Sequence, residues 1–242
     1  MISVVIFTFQ RGSRLIECLQ SLDSSGINEI LIFNDDETQK LDIAPFQILG
    51  KISNQLRIFN PSDFGFNDRA FRKPFYMNKA IELASSSSVL FSDDDGIFSK
   101  GSVDAHIHGL KNHVFCAGSI IRDRLLKRKS KSILQGTNYS FQKQFFSKVG
   151  KYDESFIQSM GGGDVDFWYR IYHYVRENNL PVALLMNACQ NVTVGSKRVK
   201  TDRIMDPREY TLKKHGLNLS GPMYKWFPEI RDKQKWMTVA SS

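Results

Sequence analysis

The opening stretch constrains the fold more than any other part of the chain. Ile2-Ser3-Val4-Val5-Ile6-Phe7 is short, β-branched and nearly continuous in apolar character, as a strand covered on both faces is. Its exit, Thr8-Phe9-Gln10-Arg11-Gly12-Ser13, is polar and glycine-bearing. Leu15, Ile16, Leu19 and Leu22 then share one helical face, with Ser13 as cap and Ser24-Ser25-Gly26 as stop. A second apolar run follows at 29–33. Strand, helix and strand in this order make a βαβ unit, which requires a parallel pair joined by a right-handed crossover.

The alternation continues. Residues 56–59 and Val89-Leu90-Phe91 read as strands, and so do 114–121 and 181–186. A helix starts at Pro74 and carries Phe75, Met77, Ala80, Ile81 and Ala84, ending at the serine run 85–88. Residues 141–149 suit a short helix closed by Gly150. Val165, Trp168, Ile171, Tyr172 and Val175 mark a further amphipathic helix. Asp206-Pro207-Arg208-Glu209 has the start signals of another, which Gly216 stops. Residues 103–110, with His106 and His108 alternating, fit neither period, and the basic run 122–131 reads as a solvated excursion. The expectation is an α/β chain, a single domain with a mostly parallel central sheet flanked by helices. Residues 1–220 form this domain, and 221–242 form an aromatic and basic tail that packs on it.

Composition enters where it limits partners and compartment. A hydrophobic content of 41% with 18 Phe supports a substantial core. The net charge of +8 suggests phosphate-bearing partners. Cys18, Cys116 and Cys189 are isolated and odd in number, as buried thiols in a reducing compartment would be. With a strand pattern at the very start and no apolar run near bilayer length, the expected location is cytoplasmic, with peripheral association at the inner face of a membrane as the alternative.

The chemistry concentrates in carboxylates. Asp93-Asp94-Asp95 follow directly on the strand ending at Phe91, and three adjacent like charges need a positive partner among them. Oxygen ligands of this kind suit Mg²⁺ or Mn²⁺ rather than zinc. Asp35 and Asp36 follow the second strand. In a parallel sheet these strand exits share one edge, where open α/β sheets bind ligands. Asp164 and Asp166 follow Gly161-Gly162-Gly163, whose glycines permit close approach of a ligand, and they open a helix whose dipole favours acids at its start.

These residues, taken in order, carry a resemblance. Thr8-Phe9-Gln10-Arg11, Asn34-Asp35-Asp36-Glu37, Asn78-Lys79-Ala80-Ile81, Phe91-Ser92-Asp93-Asp94-Asp95, residues 149–156 and Gly162-Gly163-Asp164-Val165-Asp166 together resemble a family 2 glycosyltransferase of the GT-A fold, from the N-terminus to about Arg170. The resemblance implies a nucleotide-diphosphate sugar as donor, a divalent cation (Mn²⁺ or Mg²⁺), and a glycan, glycolipid or other hydroxyl acceptor. It divides the domain into a nucleotide-sugar-binding half, 1–100, and an acceptor-binding half, 101–220. By the same resemblance Thr8, Arg11, Asp35, Asp36 and Asn78 bind the donor. Asp93 and Asp95 match the family's DxD metal motif, with Asp94, also on the donor side, as an alternative ligand. Asp164 matches the Asp of its "ED" motif, the catalytic base. The Glu of that motif is Gly163 here. The Arg that often precedes the place of Asn78 is Met77, which leaves Arg72 or Lys73 to substitute. The family's late His has no clear match, with His106, His108 and His113 as the candidates.

The implied activity is an inverting, metal-dependent sugar transfer in surface glycan or polysaccharide synthesis, with Lys197 and Arg198 adding charge near the diphosphate. Two rivals stand beside it. A sugar-nucleotide-forming nucleotidyltransferase would want a glycine-rich basic loop after the first strand, where only Gly12 is present. A basic nucleic-acid-binding module would use the net charge, but no nucleic-acid-binding signature occurs and the acidic clusters would repel such a strand, so no nucleic-acid partner is expected.

Overall fold

The computed structural model describes residues 1–9, 12–23, 25–42, 44, 46, 50, 55–67, 72–124, 128–133, 137–159, 163–191, 207–216 and 238–240. Among them the order is β1 (Ile2–Thr8), α1 (Gly12–Gln20), β2 (Ile27–Asn34), β3 (Leu56–Phe59), α2 (Lys73–Leu83), β4 (Ser88–Asp93), β5 (Gly96–Phe98), α3 (Ser102–Asn112), β6 (Phe115–Arg124), β7 (Arg128–Ile133), β8 (Tyr139–Gln142), α4 (Lys143–Val149), α5 (Gly163–Glu177), β9 (Val182–Asn191), α6 (Pro207–Lys214) and β10 (Thr238–Ala240). Two 3-10 turns, Pro61–Phe64 and Glu154–Ser159, lie between them.

The strands form one sheet in the order β10-β9-β6-β8-β4-β1-β2-β3, with β5 added to β9 and β7 to β6. Along this path every pairing is parallel except the two made by β8. The expected mostly parallel sheet flanked by helices is therefore present. All seven residues of β1 are buried, so both faces of the strand need cover, and the alternation of side chains decides which cover each receives. Val5 and Phe7 join Leu31, Phe33, Val89 and Phe91 on the face packed by α2, α4 and α5. Val4 and Ile6 join Ile30, Ile32 and Leu90 on the other face, packed by α1 and α3. On the first face the rings form a continuous layer: Phe7 stacks on Phe91 at 5.6 Å, and Phe91 meets Tyr139 at 5.4 Å.

Three elements differ from expectation. Residues 102–112 form helix α3, because Val103, His106 and Leu110 are buried together on one face. His106 hides that period by being polar. It is fully buried, with Nδ1 2.8 Å from Ser140 Oγ and Nε2 3.0 Å from Asn138 Oδ1. Burial pushes its pKa down to about 4, against the hydrogen bond that Asn138 Oδ1 accepts from it, so it is a neutral core residue. The described residues of the basic run expected as a solvated excursion, 122–124 and 128–131, belong to a two-stranded ribbon, β6 with β7, paired from Ser119 with Ile133 to Arg124 with Arg128. Its ladder satisfies backbone groups whatever the charge of the side chains. Phe141, expected at a helix start, belongs instead with Tyr139 and Ser140 to β8, buried and hydrogen-bonded to β4 and β6 on its two sides.

The C-terminal strand β10 pairs in parallel with β9 and extends the sheet, while the rest of 221–242 lies outside the described residues. No helix among the described residues is long and apolar enough to cross a membrane.

Candidate active site

Register alone brings the predicted residues together. Thr8 lies opposite Asn34 on β2, and Phe7 lies opposite Asp93 on β4, so β1, β2 and β4 end at one edge. The chain turns there after each strand. Asp35 N–H bonds to Thr8 O at 2.9 Å and Asp94 N–H to Phe7 O at 3.0 Å, which fixes both acidic turns against the end of β1. Phe9, just beyond Thr8, is one of the large apolar side chains left exposed among the described residues. Arg11 lies outside the described residues.

The three acids after β4 have three environments. Asp94 turns inward: it is buried, and its Oδ2 accepts the Thr8 hydroxyl at 2.7 Å. Asp93 turns outward, with 31% of its side chain exposed, and its Oδ1 accepts from the Lys73 ammonium. Its backbone N–H bonds to Thr137 Oγ1 at 2.9 Å, which pins the strand end without using the carboxylate. Asp95 is half-buried in the turn before β5. Among the described residues no group of three or more His, Cys, Asp or Glu could enclose a metal. Two carboxylates of hard oxygen character at a sheet edge fit a cation whose remaining ligands are water and a substrate's phosphates, the usual way Mg²⁺ is held. They do not fit an all-protein cage.

The acids after β2 also divide. Asp36 is buried, and its Oδ1 accepts the Thr38 N–H at 2.9 Å and the Thr38 hydroxyl at 2.6 Å, an Asx turn that shapes the loop. Asn34 supports the same loop from below, donating to Gln39 O at 2.7 Å and Asn60 Oδ1 at 3.1 Å. Asp35 instead meets the start of α2. Its Oδ2 accepts the Arg72 N–H at 3.1 Å and its Oδ1 the Arg72 guanidinium at 3.2 Å. Burial pushes Asp35 up to about 7, against the pull of Arg72.

Asp164 stands at the first turn of α5, partly exposed. Its charge and that of Asp93 both act on Tyr139. The Tyr139 hydroxyl is 2.6 Å from that of Tyr152, both buried. Burial raises Tyr139 well above the ordinary tyrosine range, and the charges of both Asp93 and Asp164 raise it further. The charges of two carboxylates far apart in sequence thus bear on one buried hydroxyl. Asp166 does something else. It is fully buried, with Arg170 Nε 3.0 Å from Oδ2 and with Lys214 Nζ and His215 Nε2 each 2.8 Å from Oδ1. Burial pushes it up, but Arg170, Lys214 and His215 prevail and its carboxyl lies below the usual range. Lys214 and Tyr210 also reach Asp153 Oδ2, at 2.9 and 2.8 Å. In this way α6 is clamped to the base of α5. Gly161, Gly162, Lys197 and Arg198 lie outside the described residues.

Asn78 sits one layer back. Its amide donates to Tyr152 O at 3.0 Å and Glu154 Oε1 at 2.7 Å, and its carbonyl accepts the Tyr152 N–H at 2.9 Å. Those bonds tie α2 to the segment that carries Tyr152, so its side chain serves the frame beneath the edge. Sequence reasoning did not find Thr137, Tyr139, Tyr152 or His215. Tyr152 had a signal in lying within the segment 149–156, and His215 in standing directly after two lysines at the end of a capped helix.

The mostly parallel sheet and its helical cover form a GT-A-type fold. Among solved structures the chain is similar to S. aureus TarS, with TM-score 0.57 and 17% identity over 79% of this chain and 36% of that one. It is similar too to TarS 1–349 in complex with UDP-GlcNAc, with TM-score 0.59 and 15% identity over 83% of this chain and 61% of that one. TarS 1–349 without that ligand gives TM-score 0.53 and 15% identity over 82% and 58%. This chain therefore spans between about a third and three fifths of the length of those structures. No protein-family model matches the chain, and no curated protein matches it in sequence.

Proposed function

We propose that the chain transfers a sugar from a nucleotide-diphosphate donor to a hydroxyl acceptor with inversion at the anomeric carbon, the acceptor being a glycan or glycolipid. The observation that supports this reading is the shared carboxyl edge of β1, β2 and β4, which carries Thr8, Asp35 and Asp93, together with the charge of Asp164 acting on the same buried Tyr139 hydroxyl as that of Asp93. The donor side is the edge formed by Thr8, Asp35 and the turn after β4. UDP-GlcNAc, bound by the TarS neighbour, is the first donor to try.

Asp35 accepts a hydrogen bond from the nucleobase, and Thr8 and Asp94 hold the floor beneath the diphosphate. Asp36 and Asn34 keep the loop in shape, and Asn78 keeps the Tyr152 segment in place. A divalent cation held by Asp93 and Asp95 supplies, when bound, charge neutralisation for the leaving diphosphate. Asp164 takes the proton of the acceptor hydroxyl. The acceptor oxygen forms its bond to the anomeric carbon from the face opposite the leaving group. The bond from that carbon to the phosphate oxygen breaks with its electron pair, and the nucleoside diphosphate leaves. Tyr139 stays protonated beneath the reacting groups and keeps the two carboxylates apart on a neutral floor.

The test is a thermal-shift screen against UDP-, GDP-, CMP- and dTDP-sugars with and without Mn²⁺, followed by Asp164→Asn. The expected result is a cation-dependent rise in melting temperature for one donor class. Asp164→Asn should keep that rise and lose transfer by roughly a hundredfold or more, the scale of general-base catalysis. Full transfer by purified Asp164→Asn removes Asp164 from the mechanism.

A further inference from the structure

The start of α2 aims two cations at two of the donor-side acids: Arg72 at Asp35 and Lys73 at Asp93. Lys73 is the first residue of the helix, and the first turn holds no acid. A cation there stands against the positive end of the helix dipole, so its position has to be held by an anion. In this chain that anion is Asp93 Oδ1. The lysine stem runs along the core edge, with Nζ 5.2 Å from the centre of the Phe7 ring, and only 19% of the side chain is exposed. Asp93 is the carboxylate that the metal reading needs, and the ammonium already occupies one of its oxygens. A divalent cation on that oxygen and the ammonium repel each other, so they compete for it.

We propose that Lys73 is a donor-binding residue that holds the cation's place on Asp93 until a diphosphate arrives. It then passes to the diphosphate, leaving Asp93 to the metal. The inference rests on the donor-site reading above and deepens it. Metal alone has to displace Lys73 from Asp93, whereas metal with nucleotide offers the displaced ammonium a diphosphate as its new partner. Metal and diphosphate therefore bind cooperatively, and by linkage each tightens the other by the same factor. A lysine suits such a transfer, since its charge is compact and its stem flexible, where an arginine would be fixed by its planar fork.

Mn²⁺ uptake is measured by paramagnetic resonance of the free ion, in wild type, Lys73→Met, Lys73→Arg and Asp93→Asn, with and without UDP or GDP. Calorimetry reads nucleotide binding in EDTA, and thermal melting checks that each variant is folded. Without nucleotide, Lys73→Met should bind Mn²⁺ roughly tenfold more tightly than wild type, within the usual range of site coupling. Lys73→Arg should stay as weak as wild type, and Asp93→Asn should lose the site. In EDTA, Lys73→Met should bind the nucleoside diphosphate several-fold more weakly, and the nucleotide-induced gain in Mn²⁺ affinity should shrink. Equal Mn²⁺ affinity in wild type and Lys73→Met overturns the proposal. A wild type that binds neither UDP nor GDP overturns the donor reading and the handover with it, while the metal-only comparison still decides whether Lys73 occupies Asp93.

Discussion

Asp35 has an unusual task at the scale of a single residue. It is ionised only above about 7, because burial disfavours its charge more than Arg72 favours it. An ionised carboxylate accepts a nucleobase N–H much more strongly than a neutral carboxyl does. Donor affinity should therefore rise as pH increases from 6 to 8. A nucleotide sugar shows this cleanly, since its diphosphate has no ionisation of its own in that interval. Calorimetric titration of wild type and Asp35→Asn across the interval checks the idea: the wild type should gain several-fold in affinity, and the variant should be flat and weak. Parallel profiles would take Asp35 out of base recognition. Its neighbour Asp36 shows why sequence alone could not separate the pair. Both follow β2 in the same polar loop, and only the Asx turn to Thr38 shows that Asp36 is already satisfied within the chain.

The elements that carry the site differ in how openly the sequence announced them. β1, β2, β3 and β4 are apolar runs ending in polar turns, so their existence and their common edge were legible, and with them Thr8, Asp35 and Asp93. β8 was not, because Tyr139-Ser140-Phe141 is short and broken by a serine, and its burial comes from neighbours distant in sequence. Hence the floor of the site, Tyr139, escaped the reading, as did Thr137. The turn that delivers β8 depends on a close approach. Asn138 adopts φ 57°, and its N–H bonds to Phe91 O at 2.8 Å, while Gly118 N–H bonds to Asn138 O at 2.8 Å. A Cβ on Gly118 would lie 2.0 Å from Asn138 Nδ2, and Asn138 cannot retreat without leaving His106. Gly118→Ala should cost about 1–3 kcal/mol, as overpacking of a buried site does. It should also weaken donor binding, because Thr137, next to the displaced residue, pins Asp93. Urea unfolding and nucleotide calorimetry on the same variant test both effects. A stable Gly118→Ala with native affinity would show that the turn has slack.

Across the whole molecule, the ligand edge and a stabilising clamp sit at opposite ends of the sheet. The amino ends of β1 and β2 meet at Glu29, whose Oε1 accepts the Ser3 hydroxyl at 2.7 Å and the Ser85 hydroxyl at 2.6 Å. Its Oε2 accepts from Arg57 at 2.8 Å, so one nearly buried carboxylate joins β1, β2, β3 and the segment leading into β4. Burial raises its pKa, but the bonds from Ser85, Ser3 and Arg57 prevail and bring it to about 2, below its ordinary 4.5. The native pKa is the lower one, so this stabilisation is fully present above about 4.5 and is lost as pH falls towards 2. A shift of this size amounts to about 3 kcal/mol at neutral pH. Asp153, brought to about 2 by Lys214 and its other partners against burial, fails over the same interval at the α6 clamp. Glu29→Gln should be less stable than wild type by about 2–3 kcal/mol at pH 7, with the difference closing by pH 2. Its donor affinity at pH 7 should match that of wild type, since the clamp touches nothing at the carboxyl edge. Denaturant midpoints at both pH values, paired with one nucleotide titration, decide the matter. A constant stability gap would mean that Glu29 acts by packing rather than by charge, and a loss of donor affinity would mean that strain at one end of these strands reaches the other.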